Sequence, residues 1–167
     1  SLKNDNIETV LIFDCDVHQG DGTATISQSM PQIISCSIHC QENFPARKQH
    51  SDYDIELARG TGDKAYLETV SQTLAYLIRL HKPDLIIYDA GVDIHNDDRL
   101  GHLAISDDGI YARDALVIQQ AKSAKIPIAC VIGGGYSKDT PQLNYRHSQL
   151  FIAAKAIWPV TTNSTSY

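Results

Sequence analysis

The sequence has few features of a membrane, secreted or nucleic-acid-binding protein. None of its apolar runs approaches the length of a membrane-spanning helix, and its N-terminus has no basic segment followed by an apolar one. Its 14 lysine and arginine residues are outnumbered by 20 aspartate and glutamate residues, which gives a formal net charge of -6. This acidic balance argues against a general nucleic-acid surface but is compatible with a cationic side chain as substrate.

The four cysteines contain no Cys-x-x-Cys pair. Cys15, Cys36 and Cys130 lie in apolar runs typical of strands, so we expect buried, reduced thiols. Reduced thiols fit a reducing compartment, and we predict a cytoplasmic location. The chain begins with serine rather than methionine, which suggests a processed chain or a fragment.

The spacing of the apolar residues predicts an α/β fold. The 167 residues, 43% of them hydrophobic, suffice for one domain with a sizeable core. Four short apolar runs, at 9–13, 32–38, 84–90 and 127–132, are typical of buried parallel strands. Helical patterns occur at 23–30, 63–81, 107–123 and 140–157. We expect a three-layer domain over residues 1–158, with helices on both faces of a mostly parallel sheet, and a polar tail at 159–167.

The segment that follows the first predicted strand concentrates acids and an imidazole. Residues two apart on a strand point to the same face about 6.6 Å apart, so Asp16 and His18 can converge on one cation. Such groups are costly to gather unless something positive lies among them. We therefore predict a metal site, with Asp14 as a supporting group or as a ligand of a different ion. The alternative, in which the acids cap the helix that follows, can explain Asp21 but not the other acids and the histidine.

Two more polar clusters follow the third and fourth predicted strands. Asp93 can complete an Asp-His-Asp set with an open position, as in catalytic zinc sites, although these donors also permit iron, manganese or cobalt. Nearby, His95 and Asp97 are interpreted as a solvated loop. The glycine triplet before Tyr136 lets the backbone approach a ligand and then presents a phenol; a phosphate-binding loop or a plain turn are the alternatives. Ligands of open α/β sheets bind at these strand ends, so the three clusters indicate one site.

These clusters resemble the histone deacetylase and acetylpolyamine amidohydrolase family. Residues 16–20 and 97–103 look most like the class IV branch and its bacterial relatives, and the similarity runs from about residue 8 to about residue 155. The resemblance implies an arginase/deacetylase-like fold. It also implies a zinc-dependent hydrolase of linear amides that removes acetyl or other acyl groups from lysine or related amines.

The resemblance assigns roles to single residues. Asp16, His18 and Asp93 would hold Zn²⁺, with Fe²⁺ as an alternative, and Tyr136 would donate a hydrogen bond to the substrate carbonyl and to the oxyanion. Two further sites are implied: a structural K⁺ or Na⁺ site at Asp14, Asp16, His18, Ser37 and Ile38, and a substrate channel at Phe44, Leu100 and Gly134.

One part of the family pattern is absent. The family takes its general acid and base from a His-His pair upstream of the first strand seen here, and this chain has no such pair. Asp14 and Asp21 would orient those two histidines. We therefore expect the C-terminal part of a deacetylase domain, inactive or impaired alone. We also expect an apolar surface, covered by the missing N-terminal half or by self-association, and no direct nucleic-acid or membrane partner.

Three other functions fit parts of the sequence. The run from Phe13 to Asp16 resembles the Asp-x-Asp strand of haloacid-dehalogenase-like, Mg²⁺-dependent phosphatases, but His18 stands where that family has Thr or Val. An arginase-like two-metal hydrolase would need an Asp where Gly20 stands. A non-catalytic binding module is the third alternative.

Overall fold

The computed structural model describes residues 7–159, which form a parallel sheet flanked by helices. Along the chain the elements are β1 (Val10–Asp14), α1 (Asp21–Ser27), β2 (Ile33–Cys40), β3 (Tyr53–Leu57), α2 (Asp63–His81), β4 (Leu85–Asp89), α3 (Asp107–Ala124), β5 (Ile128–Val131) and α4 (Thr140–Ile157). The strand order in the sheet is β3-β2-β1-β4-β5, and every strand pair is parallel. The predicted α/β fold is confirmed. The predicted tail, apart from residue 159, lies outside the described residues.

The strand order reverses between β1 and β4, the two central strands. The connection from β1 to β2 crosses the sheet in one direction, and the connections from β3 to β4 and from β4 to β5 cross it in the other. Because such crossovers are right-handed, α1 lies on one face of the sheet and α2 and α3 lie on the other. Helix α4 packs against α3. Ligand sites of open α/β folds lie at such a reversal, outside the carboxyl ends of the strands.

The face beneath α2 and α3 is covered over the strands β1, β2 and β4. Its core residues share the covered face by register and are 0–1% exposed: Leu11, Phe13, Cys36, Ile86 and Tyr88. Helix α3 is tied to this face because the Tyr88 hydroxyl donates a 2.6 Å hydrogen bond to Asp114. Helix α2 is tied to it by Tyr66, whose hydroxyl donates to the Cys15 carbonyl oxygen at 3.4 Å.

Within the described residues, the opposite face is only partly covered over β1, β4 and β5. Five apolar residues, which we call the open face, share it by register: Ile12, Leu85, Ile87, Ala129 and Val131. The first three are half-buried, and the two in β5 are exposed. Parallel sheets are normally covered on both sides, whereas this half of the sheet exposes apolar side chains on one side.

A buried arginine on α3 joins the ends of the two central strands. Arg113 is fully buried and donates to the carbonyl oxygens of Gly91 at 2.6 Å, Ala90 at 3.2 Å and Cys15 at 3.4 Å. Its guanidinium also pairs with Asp114, whose Oδ1 lies 3.0 Å from both Nε and Nη2. The arginine thereby fixes the segments that follow β1 and β4 relative to each other.

Two features of local structure differ from the prediction. Strand β3 was not predicted, and Cys130, expected to be buried, is exposed because β5 is an edge strand that is left uncovered within residues 7–159. Cys15 and Cys36 are buried free thiols, as predicted. Helix α1 begins at Asp21 rather than at residue 23 and ends at Ser27 rather than at residue 30. Within residues 7–159, no helix is both long and apolar enough to cross a bilayer.

Candidate metal centre

Three side chains from the ends of β1 and β4 converge at the strand-order reversal. Asp16, His18 and Asp93 each offer a ligand atom, and these atoms all lie within 4.8 Å of one another. Nδ1 of His18 is 3.0 Å from Oδ1 of Asp16 and 3.1 Å from Oδ2 of Asp93. The Asp93 side chain is fully buried, whereas those of Asp16 and His18 are each 18% exposed. The cluster therefore opens to solvent on one side.

Backbone hydrogen bonds hold the carboxylates in place. Asp14 accepts from the amide of Asp16, and Asp16 accepts from the amide of His18, both at 2.9 Å. Oδ1 of Asp93 accepts from the amide of Val17 at 2.9 Å and leaves Oδ2 directed at His18. The turn after β1 is thus built by the same acids that form the cluster.

Two glycines allow the backbone to close around these acids. A Cβ atom on Gly91 would lie 2.7 Å from Cα and Oδ2 of Asp16. Gly134 has a φ of +60°, and a Cβ atom there would lie 2.5 Å from Oδ2 of Asp93. A side chain at either position would displace the carboxylates.

The pKa shifts of the cluster indicate that a positive charge among its side chains is stabilising. Hydrogen bonds to Asp16 and then Asp93 raise the pKa of His18 to about 10. Burial raises the pKa of Asp93 to about 6 and that of Asp14 well above its ordinary value. Burial also opposes ionisation of Asp16, but hydrogen bonds from His18 outweigh it and lower the pKa of Asp16.

A cation fits this donor set. The raised pKa of His18 favours its cationic form, whose charge offsets that of the two carboxylates 3.0 and 3.1 Å away. Two carboxylates and an imidazole suit Zn²⁺ or Fe²⁺ and leave an open coordination position. Metal binding would release the His18 proton, so the affinity falls as the pH falls.

Tyr136 stands beside the cluster. Its ring meets that of His18 edge-on, with centroids 5.8 Å apart and an angle of 86° between the planes. The side chain is 44% exposed. Burial raises the pKa of the phenol, and the negative charges of Asp93 and Asp16 add to this. The hydroxyl therefore stays protonated at neutral pH and can donate a hydrogen bond.

Comparisons with known proteins identify the family of the chain. Residues 1–150 match the histone deacetylase domain family. The chain belongs to the histone deacetylase family. An uncharacterised protein of Picosynechococcus sp. is 49% identical over 151 residues, which cover 90% of this chain and 50% of that protein. Histone deacetylase 2 of Arabidopsis thaliana is 34% identical over 140 residues, which cover 82% of this chain and 36% of that protein.

A solved structure shares the fold. The acetylpolyamine aminohydrolase from Burkholderia pseudomallei matches with a TM-score of 0.72 and 23% identity, over 90% of this chain and 46% of that one. The chain thus spans half or less of these relatives. That it is the C-terminal part of a deacetylase domain stays a prediction. Membership of the deacetylase family removes the haloacid-dehalogenase-like phosphatase as an alternative.

The deacetylase resemblance also predicts roles for Asp21, Ser37, Ile38, Phe44 and Leu100. Asp21 is the first residue of α1, and its carboxylate accepts only a 3.0 Å bond from the amide of Gly22 in the part of the chain described. The side chain of Ser37 contacts Nδ1 of His39 at 3.0 Å, and Ile38 is fully buried in β2. Phe44 and Leu100 are 66% and 48% exposed. The monovalent-cation site and the channel stay predictions.

His95 corrects the expectation of a solvated loop after β4. It is only 4% exposed: its Nδ1 accepts from the amide of Asp97 at 3.0 Å, and its Nε2 faces Asp107 at 3.2 Å. The buried Arg146 of α4 reaches both acids, at 3.4 Å from Asp97 and 3.1 Å from Asp107. Burial, and then the charge of Arg146, lower the pKa of His95. Asp97 itself is exposed, as predicted.

Arg113 and Arg146 were not predicted to be structural. A signal for both is present in the sequence, since each occupies the inward stripe of its helix. Arg146 precedes the buried Gln149, Leu150 and Ala153 at spacings of three, four and seven residues. An arginine inside such a stripe indicates a buried charge with a partner.

Proposed function

We propose that this chain supplies the metal-binding part of an amidohydrolase that removes acetyl or other acyl groups from lysine or related amines. The reaction is hydrolysis of the C–N bond of a linear amide. The observation that carries the proposal is the convergence of Asp16, His18 and Asp93 beside a protonated phenol, in a member of the deacetylase family. The cytoplasmic location predicted from the sequence is part of this proposal.

In this function, Asp16, His18 and Asp93 would hold Zn²⁺ or Fe²⁺. When bound, such an ion would supply Lewis-acid chemistry, which polarises an amide carbonyl and lowers the pKa of water. Tyr136 would donate a hydrogen bond from its phenolic hydroxyl to the carbonyl oxygen and to the oxyanion that develops from it. A K⁺ or Na⁺ ion at Asp14 and its neighbours would offset the carboxylate charge behind the site.

The substrate would enter from the solvent side of the cluster. Phe44 and Leu100 present apolar side chains at the surface, where they would line a channel for the acyl group. Gly134, next to Oδ2 of Asp93, leaves room for that group because it has no side chain.

The general acid and base would come from outside this chain. Asp14 and Asp89 are in-register neighbours at the carboxyl ends of β1 and β4, on the same side of the sheet as the open face. Oδ1 of Asp89 is buried and, within residues 7–159, has no hydrogen-bond partner. Burial raises the pKa of Asp89 to about 6. We propose that histidines from another segment approach the metal here.

That segment would also cover the open face. Val131 is 45% exposed, and the outer edge of β5 is unpaired within the described part of the chain. The Picosynechococcus relative is twice as long as the region it shares with this chain, which leaves enough sequence for further strands and helices. We propose that the occupant is the N-terminal part of the same deacetylase domain.

The first test is reconstitution of activity. The zinc-loaded chain and the non-matching segment of the Picosynechococcus relative are prepared separately, and deacetylation of an acetyl-lysine peptide is measured. We expect the mixture to turn over about 10²- to 10⁴-fold faster than the chain alone, because a positioned acid and base contribute that factor. Full activity of the chain alone would contradict the missing acid and base. A stable mixture that binds metal but is inactive would favour a non-catalytic binding module.

The second test probes the open face. We expect Val131→Asp to abolish binding of the same segment in analytical ultracentrifugation, because it places a charge in the proposed interface. Leu80→Asp is the matched control: Leu80 is 50% exposed, on the helix that lies against the other face. Equal binding by both variants would contradict this interface. A dimer of the chain itself that only Val131→Asp dissociates would assign the face to self-association.

A further inference from the structure

One carboxylate joins the two loops that flank the metal centre. Oδ2 of Asp98, in the loop after β4, accepts a 2.7 Å hydrogen bond from the amide of Tyr136, in the loop after β5. Its Oδ1 accepts from the amides of Leu100 and Gly101, each at 2.9 Å. We call these three bonds the Asp98 clamp. Charge-assisted hydrogen bonds of this kind are roughly twice as strong as neutral ones.

The loop that carries Tyr136 needs such a restraint. Gly134 and Gly135 have φ angles of 60° and 95°, in a region where glycine is the default residue because it has no Cβ atom. The triplet is held at its start, where Gly133 accepts a 3.1 Å hydrogen bond from the amide of Val92. At its end, the bond to Asp98 fixes the backbone of Tyr136 itself.

The other side of the clamp lies against a metal ligand. A Cβ atom on Gly101 would lie only 1.8 Å from the carbonyl oxygen of Asp93, so the Gly101 backbone packs directly on that residue. Asp98 therefore connects Tyr136 to the backbone of Asp93 through the amide of Gly101. The phenol and the metal ligand keep their spacing although they come from different strands.

We propose that Asp98 is a positioning residue: by binding the Tyr136 amide, it holds the Tyr136 phenol beside the metal centre. The proposal rests on the function proposed above, in which that phenol contacts the substrate carbonyl. Asp98 itself does not touch the substrate. Its effect on the contact with the substrate carbonyl should pass through the Tyr136 hydroxyl.

The first experiment measures the clamp without any substrate. Asp98→Asn keeps the shape of the side chain but turns an N–H group toward one of the amides, so that two donors face each other. We expect amide hydrogen exchange at Tyr136, followed by NMR in the full chain, to accelerate at least about tenfold, the effect of losing one hydrogen bond. Asp97→Asn is the matched control, because Asp97 is in the same loop with its side chain 75% exposed. Unchanged exchange at Tyr136 in Asp98→Asn would overturn the clamp.

The second experiment tests whether the clamp acts through the phenol. The dissociation constant of N-acetyl-lysine methylamide is measured by NMR titration of the zinc-loaded chain. We expect Asp98→Asn and Tyr136→Phe each to weaken binding about five- to tenfold, the effect of one hydrogen bond. The double variant should be no weaker than Tyr136→Phe alone. A purely structural role would give additive losses and would overturn the positioning role.

The two experiments separate this proposal from the function on which it rests. If Tyr136→Phe does not alter ligand binding while Asp98→Asn still accelerates exchange at Tyr136, the proposed function fails and the clamp stands. If Asp98→Asn does not fold, Asp98→Glu replaces it, because a carboxylate displaced by one methylene cannot hold all three amides. Faster exchange at Tyr136 in Asp98→Glu than in Asp97→Glu would then support the clamp, and equal exchange would overturn it.

Discussion

Replacement of Asp93 by asparagine is expected to weaken Zn²⁺ binding by more than about 100-fold. Loss of a group that merely orients a metal ligand costs about 10- to 100-fold, and loss of a ligand should exceed that range. The asparagine side chain would keep an oxygen for the amide of Val17, so the turn after β1 should persist. The substitution removes the negative charge that faces His18 at 3.1 Å, and with it one of the three donors.

The measurement is a competition titration with a chromophoric chelator on the full chain. Asp108→Asn is the control, because Asp108 is an exposed acid in the first turn of α3 and its loss changes the net charge equally. Far-UV circular dichroism establishes that both variants are folded. Equal Zn²⁺ affinity in the two variants would show that Asp93 is not a ligand. The main evidence for the proposed hydrolase function would then be removed.

The largest effect on stability is expected at Arg113. Arg113→Met removes the donors for three strand-end carbonyl oxygens and leaves Asp114, only 1% exposed, without its cationic partner. Removing one partner of a buried ion pair costs about 3–5 kcal/mol of the free energy of unfolding. A typical domain has only about 5–15 kcal/mol, so the variant should be close to unfolding.

Urea denaturation of the full chain provides the test. Arg59→Met is the control, since Arg59 is 59% exposed and 3.7 Å from Glu42, and exposed pairs contribute about 1 kcal/mol or less. Adding Asp114→Asn to Arg113→Met should recover part of the loss, because the unpaired carboxylate is then neutral. Similar stability of Arg113→Met and Arg59→Met would mean that the guanidinium does not hold the strand ends together.

The sequence predicts the parts of the fold that depend on local pattern. Strands β1 and β4 are continuous apolar runs followed directly by acids, so both the strands and the chemistry at their ends were predicted. Strand β3 has the sequence Tyr-Asp-Ile-Glu-Leu, in which apolar and charged residues alternate as in a half-exposed strand. It was not predicted because only continuous apolar runs were interpreted as strands. The convergence of Asp16, His18 and Asp93 followed from the family pattern and the rule for strand ends.

Other features depend on contacts between elements that are distant in the sequence, so the local residue pattern could not predict them. Cys130 lies in an apolar run, yet its exposure is set by the absence of cover over β5 in the described part of the chain. His95 lies in a polar segment typical of a loop, yet it is buried because α4 brings Arg146 against the two acids beside it. The Asp98 clamp likewise joins residues 38 positions apart in the sequence.

The pairing of β1 with β4 has a consequence for how the chain is made. His18 and Asp93 are 75 residues apart in the sequence. During synthesis, β1 therefore lacks its neighbour β4 until the ribosome has added most of these residues. At synthesis rates of about 5–20 residues per second, that takes about 4–15 s. During this interval the edge of β1 that later pairs with β4 has no hydrogen-bonding partner. Under the proposed function, Asp16 and His18 would also lack Asp93 as a third ligand, so a metal ion would be held only after β4 and the segment that follows it have been made.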